Sequence, residues 1–510
     1  MHLSYLIRRV ALRQPQRIAL TEKGHDWSYA SLVRRINLVG NAILGLGLRL
    51  GDRVASLLSD CREYLETDYG VMTAGLVRVP LDPRLSRAEL LAQLADSGAK
   101  ALVFHPTYSD RIVDLRAELP DLRYLISVGT GFPEAIEFES LLEQASDKPL
   151  PVGSGEDLAS LNYTGGTTGH PKAVMLTHHN LVTAVENALL ARPIHSSDVF
   201  LNVRPLWPIS GSIVLMHVLG GSTVILGGRF EPEEFLHLIQ EYGVTMTSLV
   251  PTQLVSLLEE SDPRRYDIRS LKTLDVGAAT IPRDTFLQAL DVIGPRLAVI
   301  YGLTEAPWTC YLPSQELDAS RERRSRLIHS AGRELFGYKV AINNPEGRML
   351  STGEVGEVVI RGGNVMRGYW NQPDATAKSL RDRWLHTGDL GRLDDEGYLY
   401  IVGREKEVIR SGGSSILPQE VEEVLTTHPG VAEAAVVGIP DLKWGEIVKA
   451  FVVLRQGFIL SERELINYCR ERLSDFKKPR AIEFLPSLPR SHYGKVLKAQ
   501  LYERRENAKF

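Results

Sequence analysis

The sequence predicts an α/β fold: a large N-terminal domain of layered α/β sheets with a small β-rich subdomain, and after it a small C-terminal α+β domain. Three observations predict it. Short apolar runs alternate with helix-length amphipathic segments as far as Tyr301, a pattern that layered parallel sheets satisfy. From about Gly332 proline and glycine become frequent, strands shorten and long helices are missing. After Gly403 helix and strand patterns resume, over enough chain for a separate domain. The boundaries read as 1–405 for the N-terminal domain, with the β-rich subdomain over about 332–405, and 406–510 for the C-terminal domain.

Taken in order, residues 3–12 and 29–46 have helical periodicity, and a helix-like segment ending at Ala74 lies between apolar runs at 54–58 and 77–81. Further strands are expected at 101–104, 124–128, 173–176, 200–203, 223–226, 245–250, 273–276 and 298–301, mostly with helix-length segments between them. The β-rich part contributes 357–361 and 398–402. The C-terminal domain contributes a helix at 419–427, strands at 434–437 and 450–454, and a helix at 462–473. No solenoid period or low-complexity tract interrupts this order.

Composition narrows the function classes. A formal net charge of -4 leaves no basic footprint for nucleic acid, and the apolar runs are too short and too often broken by charge to span a bilayer. Cys61, Cys310 and Cys469 are widely separated and odd in number, which argues against a disulfide framework and a cysteine metal site and suits a reducing cytoplasm. Arg8 and Arg9 lie inside an amphipathic pattern, so the first residues read as a helix and not as a signal peptide.

Residues 163–172, Tyr-Thr-Gly-Gly-Thr-Thr-Gly-His-Pro-Lys, concentrate phosphate-handling chemistry. Gly165, Gly166 and Gly169 permit tight turns and let backbone N–H groups face a common anion; the hydroxyls of Thr164, Thr167 and Thr168 and the ammonium of Lys172 add donors and positive charge. No Gly-Lys-Ser/Thr triplet closes the loop, and a strand-like run follows it, so it is expected to join two strands instead of opening a helix. The stretch resembles the signature Tyr-Thr-Ser-Gly-Thr-Thr-Gly-x-Pro-Lys-Gly of the adenylate-forming superfamily: acyl- and aryl-CoA synthetases, nonribosomal adenylation domains and luciferases. Gly165 replaces the serine and Ala173 the closing glycine. Further motifs follow in the family's order, so the resemblance covers nearly the whole chain.

What the resemblance implies can be stated residue by residue. In Tyr301-Gly302-Leu303-Thr304-Glu305, Tyr301 would lie against adenine, Thr304 near the α-phosphate and Glu305 on a magnesium ion, which prefers carboxylate and phosphate oxygens. The motif follows an apolar strand, at the carboxyl end where open α/β sheets place ligands. Gly277-Ala278-Ala279 is small enough for a flat base to approach the backbone. Asp389, in His386-Thr387-Gly388-Asp389, would accept from both ribose hydroxyls. Arg404 would reach the ribose and phosphates, and Lys406 occupies the hinge about which a mobile C-terminal domain would reorient. Lys495, in the Pro-x-x-x-x-Gly-Lys-x-x-Lys pattern, would bridge the attacking carboxylate and the α-phosphate. Lys498 and the other tail lysines are expected to be solvated surface charge.

For the thiol acceptor, Trp444 matches a position where CoA ligases stack the CoA adenine, Phe476-Lys477-Lys478-Pro479 resembles their phosphate-contacting turn, and Gly412 and Gly413 would flank the pantetheine tunnel. Residues 205–211, Pro-Leu-Trp-Pro-Ile-Ser-Gly, depart from the family pattern: Pro208 stands where CoA ligases carry a histidine that gates this tunnel, and the aspartate with which amino-acid-activating relatives hold an α-ammonium is missing. Leu206, Trp207, Ile209 and Trp308 are apolar, so an apolar or aromatic acid is expected. The implied reaction takes ATP, Mg²⁺ and CoA as cofactors and yields acyl-AMP, then acyl-CoA. The alternatives are an acyl-AMP ligase that loads an acyl carrier protein, or a member with adenylation impaired because Pro208 cannot gate. A homodimer is compatible with this reading.

Overall fold

The structure is a computed structural model that describes residues 1–164, 171–318, 320–490 and 496–503. An eight-stranded sheet runs, in spatial order, from Gly368–Tyr369 through Lys172–Thr177, Leu158–Thr164, Val77–Pro80, Arg53–Leu57, Ala101–Phe104 and Tyr124–Ser127 to Ile136–Glu137. From Leu158–Thr164 to Ile136–Glu137 the pairs are parallel. Ala-Leu-Val-Phe at Ala101–Phe104 is buried throughout, as expected of a strand covered on both faces. A second sheet, of fourteen strands, has a parallel half built from Ile18–Glu22, Thr223–Leu226, Val199–Asn202, Met246–Leu249, Thr273–Gly277 and Leu297–Leu303.

The β-rich region is no separate sheet. Ala306–Leu312, Ser330–Glu334, Leu399–Arg404, Trp384–Leu393, Gly356–Gly362 and Tyr338–Asn343 continue the second sheet by antiparallel pairing. Ile18–Glu22 and His25–Ser28, at the other edge of that sheet, were not among the expected strands. His25–Ser28 is the edge strand, polar through His25 and Asp26 and partly exposed, whereas Ile18–Glu22 lies inside it with Ala19, Leu20 and Thr21 buried, an apolar run too short to stand out.

Helices Leu3–Arg13, Tyr29–Gly45, Arg62–Thr73, His178–Ala191 and Gly211–Gly220 supply the largest apolar cluster, which also takes Val103 and Ile126 from the first sheet and Phe200 and Val224 from the second. They therefore form a layer between the sheets. A second cluster covers the far face of the fourteen-stranded sheet through Phe235, Leu254 and Phe286, and a third covers the far face of the first sheet through Leu90, Leu94 and Leu115. In the middle layer the carboxylate of Asp68 is paired with Arg78, whose Nε donates to Ser160 Oγ at 3.0 Å. Both charges are buried, so the pair locks a helix to the sheet at a site where either partner alone would be costly.

The C-terminal domain has its own five-stranded sheet and its own core, with Val421, Leu425, Val436, Val448 and Leu465. Lys406 lies in the short turn Glu405–Glu407 between Leu399–Arg404, the last strand of the large sheet, and Ile409–Ser411, the first strand of the small one.

Buried histidines make stability depend on pH. His178 stacks on His2 with ring centroids 3.6 Å apart, and neither nitrogen of its ring has a partner among the described residues. Burial first, then the neighbouring His2, brings its pKa down to about 3. His217, stacked on Phe200, is held well below its ordinary value by burial and by Arg192. Both are neutral in the folded chain, whereas the unfolded chain protonates them near pH 6.5. The unfolded state therefore takes up more protons as pH falls, and stability present at pH 7 is lost progressively below about 6.5, at about 1.4 kcal/mol per pH unit for each histidine. The melting temperature is expected to fall between pH 6.5 and 4.5. In His178→Phe, which keeps the stack and cannot titrate, the fall should be smaller; an unchanged fall would show that His178 is not the source.

Candidate active site

The predicted phosphate loop joins two antiparallel strands, Leu158–Thr164 and Lys172–Thr177, as its flanking pattern required. Gly165, Gly166, Thr167, Thr168 and Gly169 lie outside the described residues. The two ends are set: Thr164 faces Lys172 across the hairpin, and its Oγ1 donates to the Lys172 carbonyl at 3.3 Å. The strand passes directly into helix His178–Ala191, because Thr177 accepts from the Asn180 N–H while Asn180 Oδ1 accepts from the Thr177 N–H at 2.8 Å. Lys172 Nζ lies 4.8 Å from the centroid of the Tyr369 ring, and the Tyr369 hydroxyl donates to Glu305 Oε1 at 2.8 Å. The loop lysine and the proposed metal carboxylate thus meet on one aromatic side chain.

Thr304 and Glu305 are the two turn residues between Leu297–Leu303 and Ala306–Leu312, partly exposed at the carboxyl end of a parallel strand. Gly302 permits this hairpin, since a Cβ there would lie 2.8 Å from the Trp308 nitrogen. In the adjacent strand Gly277 brings the backbone close, for a Cβ would lie 2.9 Å from the Ile300 carbonyl oxygen. Ala278 follows at φ +78°, exposed, with Ala279 half-buried behind it. A residue other than glycine in the left-handed region is uncommon and is retained where surrounding structure demands it.

Tyr301, Asp389 and Arg404 converge. The Tyr301 hydroxyl donates to Asp389 Oδ2 at 2.8 Å and Arg404 Nε lies 3.0 Å from Asp389 Oδ1, in a register that sets Asp389 opposite Arg404. Burial and the Asp389 charge raise the Tyr301 pKa well above its usual value, so the ring stays a neutral phenol. Each carboxylate oxygen keeps a further lone pair for a hydroxyl.

On the acid side, residues Leu206–Ser210 form a π-helical turn, a feature frequent at functional sites. Its entry is fixed by the Leu206 N–H donating to Asp60 Oδ1 at 2.6 Å, and its exit by the Tyr69 hydroxyl donating to the Gly211 carbonyl at 3.0 Å. Leu206 is fully buried and Trp207, 8% exposed, donates its indole N–H to the Pro80 carbonyl at 2.7 Å. Both belong to the largest apolar cluster. The side chains of Pro208 and Ile209 lie outside the described residues. Trp308 is half-buried at φ +53°. Behind it stands a charged cluster that the sequence reading missed: Arg192, 5.6 Å from the Trp308 ring centroid, pairs with Asp275 and approaches His217 Nε2 at 3.2 Å, while the Tyr311 hydroxyl donates to Asp275 Oδ1 at 3.3 Å. An aspartate within the buried strand Thr273–Gly277 was the available signal, because a buried carboxylate needs a partner.

In the C-terminal domain the Gly412 N–H donates to the Trp444 carbonyl at 2.8 Å, and a Cβ on Gly412 would come within 2.7 Å of the indole. Gly412 and Gly413 both have positive φ and are exposed. The cations nearest the Trp444 ring are Arg480, 4.4 Å from its centroid, and Lys443, 5.2 Å. Lys477 and Lys478 are instead paired with Glu420 and Asp475. Lys498 is not solvated charge: it bridges Glu407 at 3.0 Å and Glu422 at 2.8 Å, and although burial lowers its pKa, the two glutamates raise it further. Lys495 lies outside the described residues.

Residues 7–370 match the model of the AMP-binding enzymes and residues 420–495 that of the AMP-binding enzyme C-terminal domain. A feruloyl-CoA synthase from Amycolatopsis sp. is 38% identical over 98% of both chains, and the fatty acid–[acyl-carrier-protein] ligase ScoC from Streptomyces coeruleorubidus is 34% identical over 97% of this chain and 94% of that protein. The o-succinylbenzoate CoA synthetase MenE from Bacillus subtilis, solved with its acyl-adenylate, superposes with a TM-score of 0.85 at 32% identity over 97% of each chain. The chain belongs to the AMP-binding enzyme family. Within it the chain is an AMP-forming acid–thiol ligase, which uses ATP and Mg²⁺ and acts through an acyl-adenylate. No helix among the described residues is long and apolar enough to cross a membrane.

Proposed function

We propose that the acid is apolar or aromatic and the thiol is CoA. The observation that carries the acid class is the half-buried Trp308, backed by the Arg192 guanidinium, with the nearby carboxylate of Asp275 already paired to that guanidinium. A substrate ammonium buried there would cost several kcal/mol for want of a partner. A carboxylic acid with a pKa of about 4 needs no general base at neutral pH. Its carboxylate oxygen attacks the α-phosphorus of ATP and pyrophosphate leaves; the thiol sulfur then attacks the acyl carbon, and the C–O bond to AMP breaks. In this reading Lys172 and Thr164, with the loop between them, hold phosphates. Tyr301, Gly277, Ala278 and Ala279 bound the adenine, Asp389 and Arg404 hold the ribose, and Lys495 offsets charge at the α-phosphate. Glu305 fits a magnesium ion, because Oε1 is held by Tyr369 and Oε2 accepts no hydrogen bond among the described residues. Bound there, the ion would neutralise phosphate charge. Cys61, Cys310 and Cys469 are free thiols, which supports a cytoplasmic setting.

Transfer to a carrier protein has one observation in its favour: Lys477 and Lys478, expected to meet CoA phosphates, are neutralised by Glu420 and Asp475. Trp444 separates the two readings. Trp444→Ala is expected to raise the KM for CoA about five- to tenfold and that for pantetheine much less, since only CoA brings an adenine to the ring. Equal effects on both thiols would put the carrier protein first.

A further inference from the structure

We propose that Tyr369, a residue of neither nucleotide motif, is the positioning residue that aims the Glu305 carboxylate at magnesium and seats the Lys172 ammonium on the same polyphosphate. This rests on the reading that Glu305 faces the metal.

The geometry starts with pairing. Gly368–Tyr369 is a two-residue strand antiparallel to Lys172–Thr177, with Tyr369 opposite Val174 and Gly368 opposite Met175, so the strand leaving the phosphate loop carries Tyr369 alongside Lys172. Three further contacts immobilise this segment. The Tyr369 N–H donates to Thr376 Oγ1 at 2.8 Å, the Met366 N–H donates to the Glu305 carbonyl at 2.8 Å, and Gly368, at φ +148°, lets Thr376 pack where a Cβ would come within 2.7 Å. The ring is consequently buried, at 7% exposure.

From that fixed position Tyr369 acts on two charges. Its hydroxyl donates to Glu305 Oε1 at 2.8 Å, which orients the carboxylate and leaves Oε2 for a ligand. A phenol keeps its proton at neutral pH, so the hydroxyl serves as a donor. The ring face meets Lys172 Nζ at 4.8 Å from its centroid, a distance for cation–π attraction. The strand pair thus ties a cation that would contact phosphate to the carboxylate that would hold the counter-ion.

Calorimetric titration of the full chain with ATP in Mg²⁺ and with ATP in EDTA, together with Mn²⁺ paramagnetic resonance titration in the presence of ATP, tests this without turnover. Tyr369→Phe keeps the ring and shape and removes one oxygen, so the fold is retained. It is expected to weaken metal-dependent nucleotide binding about tenfold, in the range seen when a ligand's hydrogen-bonding partner is lost, and to leave metal-free ATP binding within about twofold because the Lys172 stack survives. Tyr369→Leu, which removes the ring as well, should weaken both. Glu305→Gln is the control and should lose the metal-dependent component. If Glu305→Gln loses it and Tyr369→Phe does not, Tyr369 only packs and the inference is overturned. Equal weakening of metal-free and metal-dependent binding by Tyr369→Phe would overturn it as well. If Glu305→Gln itself changes nothing, the metal assignment of Glu305 fails first and the inference falls with it.

Discussion

Lys495→Ala is expected to lower acid-dependent ATP–pyrophosphate exchange by about 10²–10³-fold, the usual effect of removing a donor aimed at charge that develops in a transition state. Transfer from preformed acyl-AMP to CoA should keep most of its rate. The asymmetry follows from the chemistry: negative charge accumulates between carboxylate and α-phosphate only while the anhydride is made, and in thioester formation AMP leaves without new charge on the pyrophosphate side. The structure sets the ends of the segment. Arg490 pairs with Val496 across an antiparallel bridge and is held to Glu433 at 2.8 Å, while Lys498 is anchored on Glu407 and Glu422. Exchange at the unmodified rate in the alanine variant would sink the assignment of Lys495.

Lys406→Pro is expected to give the reverse pattern: pyrophosphate exchange largely kept, thioester formation down by about 10²-fold, the size of effect that small misplacement of reacting groups produces. Lys406 lies between the last strand of the large sheet and the first of the small one, in a turn of 3₁₀ type whose φ proline also adopts. Proline would therefore tolerate the arrangement with this turn and resist a second one that needs a different φ at the same residue. Equal loss of both half-reactions would place the pivot elsewhere.

Much of this was legible in the sequence. Strands such as Ala101–Phe104 and Thr223–Leu226 announce themselves as buried apolar runs between helices, and the two-stranded setting of the phosphate loop follows from the strand-like residues after Lys172. Tyr301, Asp389 and Arg404 were assigned from separate motifs, and the sheet brings them within hydrogen-bonding distance. What escaped depends on pairing between distant segments. Tyr369 reads as an ordinary aromatic until Gly368–Tyr369 lies beside Lys172–Thr177. Arg192 and Asp275 are 83 positions apart and become partners only when a helix end folds against a buried strand. Lys498 looked like solvated tail charge because nothing local shows that Glu407 and Glu422 will close on it.

The most direct test is a product analysis of the purified chain with MgATP, CoA and a panel of aryl, alicyclic, medium-chain and amino acids, following pyrophosphate, AMP and acyl-CoA by mass spectrometry. The account predicts stoichiometric AMP, pyrophosphate and acyl-CoA with at least one apolar or aromatic acid, and no comparable turnover with amino acids. ADP and phosphate as nucleotide products, or amino acids outperforming every other acid, would contradict it.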